Sequence, residues 1–84
     1  MEIRLRFFAS IREKLRRAEA SCSLPAGATV AELLDQLCRE YPPLTDLRRS
    51  VSIAVNREYV DATHALSDND EVALIPPVSG GRNV

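Results

Sequence analysis

Between Val30 and Tyr41 the sequence reads VAELLDQLCREY, and Val30, Leu33, Leu34, Leu37 and Tyr41 fall on one face at the spacing of an α-helix. An apolar stripe of that length has to be buried against another element, and this requirement constrains the fold more than any other stretch does. The ends of the helix are written beside it. Thr29-Val-Ala-Glu32 has the pattern of a capping box, in which two side chains satisfy backbone N–H groups at the helix start. Pro42-Pro43 stops the run, because the residue before a proline is pushed out of helical geometry. The covering surface must come from the rest of an 84-residue chain. A chain of this size forms one domain, buries about 60–65% of its unfolded surface, and has no room for a deep internal active site.

Strand patterns supply that surface. Met1, Ile3, Leu5 and Phe7 alternate with Glu2, Arg4 and Arg6, the period of a half-buried strand. Phe8 then places a large apolar group on the polar parity. Ser10-Ile-Arg-Glu13 reads as a second capping box. It predicts a short helix with Ile11 and Leu15 on one face, closed by Arg16 and Arg17, where positive charge suits the helix dipole. Ala18, Ala20, Cys22 and Leu24 share a parity and predict a second strand over residues 18–24, antiparallel to the first. Pro25-Ala-Gly27 is a loop. Leu44, Leu47 and Val51 suggest a helical turn. Val51, Ile53 and Val55 mark a third strand, Asn56-Arg57-Glu58 a turn, and Tyr59-Val60 a short return. Ser67-Asp-Asn-Asp70 is a turn in which Asn69 takes a left-handed conformation. Val72 and Leu74 mark the last strand, ended by Pro76-Pro77. The order predicts an α+β roll, a mixed sheet packed on one long helix.

Charge and residue usage exclude several functions. With a net charge of −1 and no basic stripe interleaved with aromatics, the chain is not expected to bind nucleic acid. Arg12, Lys14, Arg16 and Arg17 read as a solvated helix face. No apolar run is long enough to span a membrane, and Arg4 and Arg6 interrupt any signal-peptide pattern, so a cytoplasmic location is expected. Cys22 and Cys38 form no CxxC pair and read as reduced apolar fillers without an activating basic neighbour. His64 is alone and expected in an exposed loop. Asp68, Asp70 and Glu71 do not have the spacing of an EF-hand loop and read as a hydrated turn. No metal and no bound cofactor are expected.

The remaining stretch is the end, PPVSGGRNV. Pro76-Pro77 starts it stiff and extended. Gly80-Gly81 removes two Cβ atoms, which permits unusual backbone angles and leaves the chain thin enough to thread a narrow channel. Taken alone, such an end is a flexible terminus. Its setting resembles something more specific. "LRFFASIREKL", "TVAELLDQLCREYP" and "SIAVNREYVDATHALSDNDEVALIPPVSGG" are together similar to the small sulfur-carrier subunit of molybdopterin synthase, within the wider group of ubiquitin-like sulfur carriers. The resemblance covers residues 1–81, and "DEVALIPPVSGG" is its most specific part.

The resemblance implies the ubiquitin-like β-grasp fold, with a domain over residues 1–78 and a tail over 79–84. It implies that the chain is not itself an enzyme. An E1-like adenylating partner uses ATP to turn the Gly81 carboxylate into an acyl-adenylate, a sulfur donor protein displaces AMP, and the resulting thiocarboxylate gives its sulfur to a pterin precursor inside the large synthase subunit. In such carriers Gly-Gly is the mature C-terminus, whereas here Arg82-Asn83-Val84 follow. Their removal by a processing protease is therefore expected, exposing Gly81 next to Gly80.

A docking surface is expected beside the tail. Phe8 and Ile75 both lie on the parity opposite the core, and they meet if the terminal strands are neighbours. Tyr59 joins them. With Pro76, Pro77 and Val78 they are the expected partner-binding residues, since exposed contiguous apolar area marks interfaces and aromatic anchors dominate their energetics. Other readings remain open from sequence: a carrier for thiamine, tRNA or cysteine synthesis, a ubiquitin-like conjugating protein, or a binding module that needs no free Gly-Gly.

Overall fold

The computed structural model describes residues 1–77. The expected domain boundary at Val78 and the tail with Gly80 and Gly81 lie outside the described residues. Strand β1 (Glu2–Phe7) alternates as its sequence requires, with Ile3, Leu5 and Phe7 buried and Glu2, Arg4 and Arg6 exposed. β2 (Glu19–Ser23) pairs with it antiparallel, setting Ala20 opposite Leu5 and Cys22 opposite Ile3. On its other side lies β5 (Glu71–Ile75), parallel, with Leu74 opposite Phe7. β3 (Ser52–Val55) runs antiparallel to β5, and β4 (Glu58–Val60) returns along its outer side. The sheet order is therefore β2-β1-β5-β3-β4, with the first and last strands as central neighbours.

Helix α2 (Val30–Glu40) covers one face of this sheet. Val30, Leu33, Leu34 and Leu37 are buried with Ile3, Leu5, Phe7, Ile53, Val55, Val72 and Leu74 in one core. Each such side chain contributes about 1.5–3 kcal/mol through the water it sheds. The helix start leaves no donor orphaned. Glu32 N–H donates to Thr29 Oγ1 at 3.3 Å and Thr29 N–H donates to Glu32 Oε1 at 2.9 Å, which completes the expected capping box. The N–H groups of Val30 and Ala31 reach the carbonyls of His64 and Ala62, both at 3.0 Å. The 61–66 loop is thus fastened to the helix by the groups a helix terminus has to satisfy. At the other end Tyr41 caps the helix and a 3₁₀ turn follows over Pro42–Leu47, burying Leu44. Tyr41 packs edge-on against Phe7 at 6.0 Å, with the Arg17 guanidinium over its ring at 5.5 Å.

Helix α1 (Ala9–Leu15) departs from expectation at its start. Ser10 does not cap it, and the predicted Ser10–Glu13 box does not form. The N-cap is Phe8, in extended conformation, with no side-chain cap. The reason is the sheet. β1 stays paired with β5 through Phe7, and Phe8 N–H still donates to the Leu74 carbonyl at 3.3 Å. Phe8 is therefore the last extended residue, Ala9 turns the chain with φ of +48°, and the Phe8 carbonyl accepts from Ile11 and Arg12. Ser10 is already inside the first turn. Of α1's residues only Ile11 is buried, so the helix acts as a strap across the end of the sheet. Among the described residues no helix is long and apolar enough to cross a membrane.

Candidate functional site

The face of the sheet away from α2 carries the residues that broke the alternation. Its floor is small. Ala54 on β3 is paired with Ala73 on β5, and neither fills the space above it. Ala54 is buried yet stands apart from the main core, as expected of a groove floor. Large side chains stand around it. Among the described residues Phe8 at the end of β1 and Tyr59 on β4 are the exposed large apolar residues, at 36% and 72% exposure. Ile75, half-buried, closes the end of β5. The three line one open groove of about 230 Å³ together with Ala54, Ala73 and three charged residues. Pairing explains the convergence: Phe7 opposite Leu74 brings Phe8 beside Ile75, and Ala54 opposite Tyr59 brings in the third wall.

Three of the expected partner-binding residues, Phe8, Tyr59 and Ile75, are thus brought together. Pro76, half-buried, and Pro77, exposed, continue directly from Ile75 at the same end of the sheet. Val78, Gly80 and Gly81 lie outside the described residues.

Of the charged members of the groove, Arg57 and Glu71 were not anticipated as part of it. Arg6 sits over the Phe8 ring at 5.6 Å and lies 3.9 Å from the Glu71 carboxylate. Arg57 enters from the β3–β4 turn. The alanines on the outward parity of β3 and β5 were the available signal for a groove. Asn56-Arg57, where a two-residue hairpin loop would favour Asn-Gly, was the signal for Arg57.

Elsewhere several titratable residues are engaged by the fold. Asp68 and Asp70 accept from the backbone N–H groups of Glu2 and Ser67, and Asp70 also accepts from the Asn56 amide. The turn they form is held by these bonds, and Asn69 is left-handed at φ of +68° as expected. His64 is exposed, and its carbonyl serves the helix start. Asp61 accepts from the hydroxyl and N–H of Thr63, which hold its carboxyl below the usual range. Burial, aided by Glu40 and Glu2, pushes the Cys22 thiol up and disfavours its thiolate. Arg48, delivered by the segment after the 3₁₀ turn, pairs with Asp35 and donates to the Ala31 carbonyl at 3.3 Å.

A half-covered mixed sheet, one helix on the inside, an apolar groove outside and a last strand running past it define a ubiquitin-like β-grasp protein. Ubiquitin from Caldiarchaeum subterraneum superposes with a TM-score of 0.64 at 16% identity, covering 96% of this chain and 98% of that one, a likeness of fold alone. The chain belongs to the ThiS family, whose sequence model matches residues 5–81. It is 40% identical to the molybdopterin synthase sulfur carrier subunit of Chlamydomonas reinhardtii over 83 residues, covering 96% of this chain and all of that one. In the solved complex of subunits 1 and 2 of the molybdopterin-converting factor from Helicobacter pylori, one chain matches with a TM-score of 0.71 at 27% identity, covering 96% of this chain and 100% of that one.

Proposed function

We propose that this chain is a sulfur carrier of the molybdopterin synthase type. In this reading a protease removes Arg82, Asn83 and Val84, and Gly81 supplies the working carboxylate. A carboxylate is a poor electrophile. An E1-like partner therefore joins it to AMP at the expense of ATP, releasing pyrophosphate. Sulfur from a donor protein, at the level of hydrosulfide, attacks the acyl carbon and expels AMP, which leaves Gly81 as a thiocarboxylate. Gly80 and Gly81 present no side chain to hinder either attack. The carrier then docks on the large synthase subunit through Phe8, Tyr59 and Ile75. Pro76, Pro77 and Val78 lead the terminus toward the partner's site, where the sulfur passes to a pterin precursor. The chain binds no cofactor in this scheme, supplies no catalytic acid or base, and works in the cytoplasm.

One coincidence supports the reading. The apolar groove lies at the end of the strand that leads into Gly-Gly, on a chain that matches a sulfur carrier subunit along its whole length. The intact mass of the untagged protein from its own host tests it. A mass ending at Gly81 with one oxygen exchanged for sulfur is the expected result. A mass ending at Val84, in cells making the cofactor, would favour a binding module instead. Heavier species linked through Gly81 to lysines would indicate conjugation.

A further inference from the structure

Arg57 occupies a backbone position that suits another residue. Val55 pairs with Glu58, so the β3–β4 loop is Asn56-Arg57 alone, with φ of +50° and +73°. Both residues are left-handed, as a type I′ turn demands. Asparagine tolerates that region, whereas at the second position glycine is favoured because a Cβ crowds the following carbonyl. The strain is not offset by a contact within the fold. Among the described residues Arg57 forms no ion pair and donates no side-chain hydrogen bond.

The turn that carries it is nevertheless fixed. Asn56 Nδ2 donates to Asp70 Oδ1 at 2.9 Å, its Oδ1 accepts from Glu71 N–H at 3.1 Å, and its own N–H donates to the Glu71 carbonyl at 2.8 Å. This clamp holds Arg57 at the rim of the groove between Phe8, Tyr59 and Ile75. The other charges lining that groove are Arg6 and Glu71, of opposite sign and 3.9 Å apart. Among the described residues Arg57 is therefore the positive charge of the groove without an ion-pair partner.

We propose that Arg57 is a specificity-determining residue of the docking face, receiving a carboxylate of the partner protein whose apolar side chain enters the groove. This rests on the docking role proposed above and names the chemistry it selects: an acidic residue on the large subunit next to an apolar anchor. A guanidinium suits this task because it binds a carboxylate through two parallel N–H donors. Glycine would close the same turn with less strain and offer the partner nothing. The side chain is kept for recognition at some expense to the fold.

The test uses the full chain and the purified large subunit, comparing the parent with Arg57→Gly, Arg57→Lys and Phe8→Ala. Affinity is measured at low and high salt, and thermal unfolding of each carrier is measured alone. Arg57→Gly is expected to unfold at an equal or higher temperature, by about 4 °C. It should bind about tenfold more weakly and with a shallower salt dependence. Arg57→Lys should recover part of the salt dependence but not the full affinity. If Phe8→Ala binds as the parent does, the docking face itself is wrong. If Phe8→Ala weakens binding and Arg57→Gly does not, the face stands and the role of Arg57 is overturned. A lower unfolding temperature for Arg57→Gly would also overturn it, since the arginine would then serve the fold.

Discussion

Ala9 turns the chain with φ of +48°, where an L-residue carries a cost of about 1–2 kcal/mol. The position matters because it is the pivot between β1 and α1. Phe8 is held by its N–H on the Leu74 carbonyl and by its own carbonyl under Ile11 and Arg12, so the reversal of direction falls on Ala9. That reversal lets α1 strap the end of the sheet while the Phe8 ring stays on the outer face, 36% exposed. Replacing Ala9 by glycine removes the Cβ clash but loosens the unfolded chain, at a cost of about 0.5–1 kcal/mol. The net expectation is a protein as stable or up to about 1.5 kcal/mol more stable. Ala9→Val, branched at Cβ, should be at least about 1 kcal/mol less stable, since a branched residue tolerates this region poorly. Urea unfolding of the two variants measures the difference. Equal stability for both would mean that the turn is not strained.

Two segments of the sequence carry the same capping pattern, and only one forms a cap. Thr29 follows a loop that can place it in extended geometry, and its reciprocal bonds with Glu32 form. Ser10 follows a strand whose register is fixed by Phe7 opposite Leu74, so the helix begins before it. The two motifs are indistinguishable locally, because what separates them is a pairing with residues more than sixty positions away. Thr29→Ala should therefore cost about 1 kcal/mol, the usual worth of an N-cap, whereas Ser10→Ala should change stability by less than about 0.5 kcal/mol. Denaturant midpoints at equal slope would show it, and equal losses at the two sites would contradict the assigned helix start. The same division explains what was legible. The alternation of β1, the stripe on α2 and the turns at Asn56 and Asn69 depend on near neighbours and could be read directly. The position of Phe8 beside Ile75 needed the parallel pairing of the terminal strands, which the sequence supports only as a condition. Arg48 beside Asp35 depended on the path of the chain after the 3₁₀ turn, and no local pattern announced it.

At the scale of the whole molecule, one sheet separates two jobs. Its inner face holds the fold together under α2, and its outer face, with Ala54 and Ala73 as floor, carries the open groove proposed as the docking surface. A domain this small has stability of order 5–15 kcal/mol and cannot enclose a reaction chamber as well. In the proposed function chemistry is consequently displaced to the terminus and to the partner, and the groove among the described residues was legible from the parity of Phe8 and Ile75, whereas Arg57 at its rim was not. Adjacent residues on β5 make the division testable. Leu74 is fully buried on the inner face, and Ile75 is half-buried on the outer face beside Phe8. Leu74→Ala should cost about 2–5 kcal/mol, a large share of the total, because its cavity lies in a close-packed core. Ile75→Ala opens no such cavity, and its unfolding free energy should fall by less than about 1.5 kcal/mol. Its effect should appear instead in association with the large subunit, where loss of an apolar wall from the groove weakens binding about tenfold or more. Urea unfolding and a binding titration on both variants decide the matter. Should Ile75→Ala unfold as readily as Leu74→Ala, the outer face would belong to the fold's own core, and the groove would lose its standing as a surface kept free for a partner.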